Sequence, residues 1–184
     1  MPSSVAADMT PVTFDITYAA FSDMDRLNRF FEEHFVAHQI AIMHNRLEQA
    51  MRHLELVFEL YRQHEQDTDR LLLPLYEKYV RQIPEGGAVL FFVREHHFIM
   101  KRLSELIRHM GKLLLDPEGT PLHRVPLFEE HCTIKDMFDH HHARDRYFLF
   151  KYLDEYVPRM EKEAVLPEME ARHREVVRKV QEQP

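Results

Sequence analysis

The chain is poor in cysteine, glycine and long apolar runs, and each scarcity excludes a class of protein. Cys132 is the sole cysteine, which rules out an intramolecular disulfide framework and a multi-cysteine zinc or iron–sulfur site. It reads as a small buried residue. Only four glycines occur, Gly86, Gly87, Gly111 and Gly119, too few for the tight turns of a β-rich fold of 184 residues. Long helices with few loops are expected instead. No stretch of about eighteen consecutive apolar residues is present, so no membrane span is predicted. Residues 1–20 lack a basic start followed by an apolar segment, so no signal peptide is expected and the cytoplasm is the default location. A net charge of −7 with no concentration of lysine and arginine argues against a phosphate-binding surface and a nucleic-acid partner.

What remains is a composition of 45% hydrophobic and 30% charged residues, that of one globular domain with a sizeable core. The chain also has 14 histidines. Residues 1–20 read as an N-terminal arm, 21–157 as a bundle of four helices and 158–184 as a peripheral C-terminal helix. In the first helix, "FSDMDRLNRFFEEHFVAHQIAIM" places Leu27, Phe30, Phe31, His34, His38 and Ile42 at three- and four-residue steps. Ser22 or Asp23 would cap it, and His44-Asn45 is the turn.

The second helix runs from about Arg46 to Gln82, with Tyr61, His64, Thr68, Leu72 and Tyr76 on its stripe and a kink expected at Pro74. The third, roughly Val89 to Leu115, buries Phe92, Val93, His96, Met100, Leu103, Ile107 and Met110. The polar connection "DPEGTPLHRVP" leads to a fourth, about Pro126 to Val157, with Ile134, Phe138, His141, Asp145, Phe148 and Tyr152 in register. Two short connections and one longer one imply an all-α, antiparallel four-helix bundle. A shift of 77 residues lays His64 on His141, Leu72 on Leu149, Tyr79 on Tyr156 and Val80 on Val157, the mark of an internal repeat.

Helical phase separates the histidines. His96 shares a stripe with the apolar residues of its helix while His97 points about 100° away, and His141 keeps step with Phe138 whereas His142 does not. Each long helix thus offers one inward histidine: His38, His64, His96 and His141. Asp145 lies one turn beyond His141 on the same face. Four buried imidazoles without a metal would leave donors and acceptors to satisfy at about 1–3 kcal/mol each, so a metal site is expected. Nitrogen and carboxylate oxygen together suit iron, manganese or zinc.

The segments "FFEEHFVAHQIAI", "HEQDTDRLLLPLY", "REHHFIMKRL" and "HHHARDRYFLF", in this order and spacing, resemble the hemerythrin-like (HHE cation-binding) domain family over about residues 21–157. The resemblance implies a four-helix bundle with a non-haem di-iron centre that binds O2, NO or peroxide, or handles iron. It also implies His38, His64, His96, His141 and Asp145 as iron ligands. The chain departs from the family pattern at Thr68, where a bridging glutamate is usual. Asp69 is the nearest substitute and Glu65 the second. His64 and Asp69 diverge by about 140° on an ideal helix, so Asp69 requires a local distortion. Phe92 stands where some members carry another histidine, leaving His34 or His140 to fill that place. A weak second iron or a single-metal site is one consequence. The competing functions are an iron-dependent peroxidase or NO-handling enzyme and a metal-free helical interaction module.

Overall fold

A computed structural model describes residues 14–116 and 124–182. Most of the polar connection after Asp116, and residues 1–13 of the expected arm, lie outside the described residues. Every regular element among the described residues is helical. A 3₁₀ turn, Phe21–Met24, leads into α1 (Asp25–Met43). Then come α2 (Leu47–Asp67), a π-helical segment π1 (Thr68–Leu72) and α3 (Leu73–Tyr79). Next are α4 (Val89–Leu115), α5 (Val125–Arg144), a second π segment π2 (Asp145–Phe150), α6 (Lys151–Tyr156) and α7 (Arg159–Gln181). None of these helices is long and apolar enough to cross a membrane.

The expected helix ends have clear local causes. Asp23 accepts the backbone N–H groups of Ala19 and Ala20, both at 2.8 Å, and so fixes the entry to the first helix. The α1–α2 turn places Asn45 at φ 56°, a left-handed conformation that asparagine tolerates better than most residues. Neighbouring helices meet in opposite directions. Phe31 of α1 contacts His64 while His38 contacts Ala50. Between α4 and α5, Glu95 pairs with His141 while His109 pairs with Glu130. The fully buried rings of Phe31, Tyr61 and Phe138 pack together between α1, α2 and α5.

The two π segments explain how α2 and α5 keep one face inward for so long. His64, Thr68, Leu72, Tyr76 and Val80 are all buried, at uniform steps of four residues. On an α-helix each such step drifts by about 40°, and four steps would carry the last residue to the far side. The wider π turn absorbs that drift. His141, Asp145, Leu149, Leu153 and Val157 repeat the pattern, also all buried. Both π segments begin at positions 77 apart, Thr68 and Asp145. Leu149 and Leu153 thereby take the core positions expected for Phe148 and Tyr152, which are only half-buried. Val93 likewise faces solvent, and Ile99 fills the α4 interior.

Two further expectations are corrected. Cys132 is exposed, because its neighbour His131 takes the inward position on α5. The last helix is not peripheral. α7 buries Leu166, Met169, His173 and Val177, and the described part of the arm lies against it. Phe14, Ile16 and Tyr18 alternate inward, Tyr18 N–H donates to Glu170 at 2.9 Å, and Arg174 reaches the Ile16 carbonyl at 3.2 Å.

Candidate metal centre

His64, His96 and His141, one each from α2, α4 and α5, each bring a ring nitrogen to within 4.8 Å of the other two. All three are fully buried. Asp145, at the first position of π2, joins them: its Oδ2 stands 3.4 Å from His141 Nε2 and 3.6 Å from His64 Nε2.

The rings are held from behind. Asp69 Oδ1 accepts from His96 Nδ1 at 2.9 Å, and Glu95 Oε2 accepts from His141 Nδ1 at 3.1 Å. Arg144 fixes Glu95 in turn at 2.8 Å and reaches the Gly86 carbonyl. With both Nδ1–H groups engaged, the Nε2 lone pairs of His96 and His141 face the cluster, the tautomer a cation requires. Burial pushes the His141 pKa well below its ordinary value, so this imidazole is neutral.

The donor set fits a cation. His96 Nε2, His141 Nε2, both His64 nitrogens and both Asp145 oxygens form no hydrogen bond within the protein. Polar atoms left so in an apolar interior cost about 1–3 kcal/mol each, and a buried carboxylate costs more. Three imidazoles and a carboxylate around one divalent ion remove that cost, and the set suits iron, manganese or zinc.

Not every expected ligand is in this cluster. His38 lies elsewhere: its Nδ1 donates to the Ala50 carbonyl at 2.8 Å and its Nε2 meets His131 Nε2 at 3.0 Å. Ala50 precedes His64 by fourteen residues on one helix, about 21 Å along the axis. Hairpin geometry therefore excludes His38, because the turn at Asn45 sets Phe31, not His38, at the level of His64. Asp69 turns its carboxylate to the outer nitrogen of His96 and positions that ring rather than joining the triad. Glu65 is half-buried, with its carboxyl pushed up by burial. His34 pairs with His53 at 3.0 Å, while His140 lies exposed against Arg144 at 2.8 Å. Thr68 is fully buried, its hydroxyl without a partner.

His142 is buried on a different side, stacked on Phe138 with centroids 5.4 Å apart and bonded to Glu32 at 2.9 Å. Comparison with protein-family models, curated proteins and solved structures finds no match to the chain. The site therefore has to be read from its own chemistry.

Sequence reasoning missed two buried polar groups beside the cluster. His173 of α7 packs its ring 6.5 Å from that of His64, and burial holds it well below the ordinary histidine pKa. Asp67 of α2 faces His173. The repeat carried the signal: the 77-residue shift that lays His64 on His141 also lays His96 on His173.

Proposed function

We propose that the chain is a non-haem iron protein of the hemerythrin-like type, holding iron through His64, His96, His141 and Asp145 and binding or sensing O2 or NO. The observation that carries this reading is the convergence of three buried histidines on one point beside a carboxylate with no hydrogen bond of its own. In this reading α1, α2 with α3, α4, and α5 with α6 are the four antiparallel helices of the bundle, and α7 is an addition to it. Iron(II) at the centre supplies a coordination position for a diatomic ligand.

The surrounding residues supply the rest. Asp69 and Glu95 orient the rings, while Phe31 and Tyr61, backed by Phe138, keep water away from them. Iron is favoured over manganese and zinc by the resemblance of the four histidine-bearing segments. Location in the cytoplasm belongs to the same reading.

The test is to load the purified chain with Fe(II) without oxygen, desalt it, measure iron per chain and add NO. Tightly held iron with a visible nitrosyl spectrum is expected. His96→Ala should empty the triad of its iron, and His97→Ala, exposed on the same helix, should leave it filled. His142→Ala should likewise spare iron that His141→Ala loses, because the stack on Phe138 turns His142 away from the triad. A wild-type chain that retains no iron would sink the reading.

A further inference from the structure

We propose that His173 and Asp67 form a second cation position beside the first, with α7 supplying a ligand from outside the four-helix set. This rests on the metal-binding reading above and deepens it. His173 Nε2 and Asp67 Oδ2 stand 3.4 Å apart, both residues are buried, and neither atom makes a hydrogen bond.

Each group is nonetheless fixed from its other side. The Tyr18 hydroxyl hydrogen-bonds His173 Nδ1 at 2.8 Å. Asp67 Oδ1 accepts from Arg172 Nε at 2.8 Å and from Gln63 Nε2 at 3.1 Å. Each side chain is thus anchored through one atom, while its other atom, Nε2 or Oδ2, is turned towards its counterpart and left unused, which is how protein ligands are oriented for a metal. A simple histidine–aspartate hydrogen bond would close to about 2.7–2.9 Å.

The surroundings supply further donors. Thr68, next to Asp67, has a buried hydroxyl without a partner, and so has the whole side-chain amide of Asn28. Asn28 lies one turn before Phe31 on the inner face of α1, and Phe31 packs 6.0 Å from His64. α1 thus brings no histidine to this level, and α7 brings one.

The internal repeat points the same way. Two π segments, His64 with His141, and His96 with His173 all share one offset of 77 residues, so His173 is the repeat partner of a histidine already in the cluster. Nitrogen with carboxylate and hydroxyl oxygen selects a divalent cation of the iron, manganese or zinc class.

The experiment uses the full chain loaded with Fe(II) without oxygen, desalted, with iron per chain measured by mass spectrometry and circular dichroism confirming the fold. Two irons are expected in the wild type and one in His173→Gln and in Asp67→Asn. Tyr18→Phe keeps both ligands and loses only the hydrogen bond that orients His173. It should loosen one of the two irons about 10- to 100-fold against a competing chelator. Wild type with one iron, unchanged in His173→Gln and Asp67→Asn, would overturn the second position and leave the first standing. No iron in the wild type would overturn both. If the two ligand variants misfold, Tyr18→Phe decides: both irons held as tightly as in the wild type would overturn the proposal.

Discussion

Asp145→Asn is expected to weaken cation binding at least 100-fold and, with no metal present, to leave the melting temperature unchanged or raise it. These opposite signs follow from the two states of the site. Without a cation, both Asp145 oxygens lack a hydrogen bond, and Oδ2 faces the Nε2 atom of His141 at 3.4 Å. That nitrogen is an acceptor once its Nδ1–H is committed to Glu95, so acceptor faces acceptor in a dry interior. An asparagine amide has nearly the same shape and adds a donor, relieving a penalty of about 1–3 kcal/mol.

With a cation the balance reverses, because a neutral amide oxygen replaces the one carboxylate of the set. The wild type should melt higher in the presence of Fe(II) in proportion to RT ln(1 + [Fe]/Kd), and the variant should lose that increment. A scaffold role for Asp145 predicts the reverse, a lower melting point without metal and no difference in metal response. Thermal melts of both proteins, with chelator and with Fe(II) under nitrogen, separate the two.

The metal-free protein should also lose stability steeply between about pH 6.5 and pH 4, and the His38–His131 pair should account for much of the loss. Burial pushes His38 down to about 4 and His131 down to about 3, and like-charge repulsion adds to it: His53 acts on His38, and His38 on His131. The folded pKa of each lies below the unfolded value of about 6.5, so protons favour the unfolded chain. Stability is complete above pH 6.5 and is lost as the pH falls towards the folded values. While the unfolded state carries the proton and the folded state does not, each histidine contributes a slope of about 1.4 kcal/mol per pH unit.

Structurally, the two rings share a bond between their Nε2 atoms at 3.0 Å, with His38 Nδ1 donating to Ala50. Only one shared proton fits between them. His131→Met removes one titrating partner and should flatten the slope by about one proton. The measurement is urea unfolding at pH 7, 6, 5 and 4 with chelator present. An unchanged slope would show that the acid sensitivity resides elsewhere, for which the fully buried His141 and His173 and the half-buried His34–His53 pair are the next candidates.

The sequence alone determined the helices, the turn at Asn45 and four members of the cluster, and the physical reason is periodicity. His64, His96 and His141 each sit in phase with apolar neighbours, and Asp145 follows His141 by one turn, so local spacing suffices to turn them inward. The same spacing assigned His38 to the cluster, because phase along one helix fixes which way a side chain points but not how high it stands against another helix. That height is set by the hairpin, and it puts His38 beside Ala50 and His131.

The π segments were legible only as a need. Asp69 demanded a distortion after His64, and one occurs at Thr68–Leu72. Its effect is to hold the Leu72 and Tyr76 stripe inward, while Asp69 turns to His96. The place of α7 was legible only in the 77-residue shift that lays His96 on His173. Its charged composition reads as a solvated helix and masks the buried stripe of Leu166, Met169, His173 and Val177, which recur at three- and four-residue steps. Only the packing of α7 on α2, with Tyr18 and Arg172 fixing His173 and Asp67, brings that histidine to the centre. Contacts between residues more than a hundred positions apart are decided by tertiary structure.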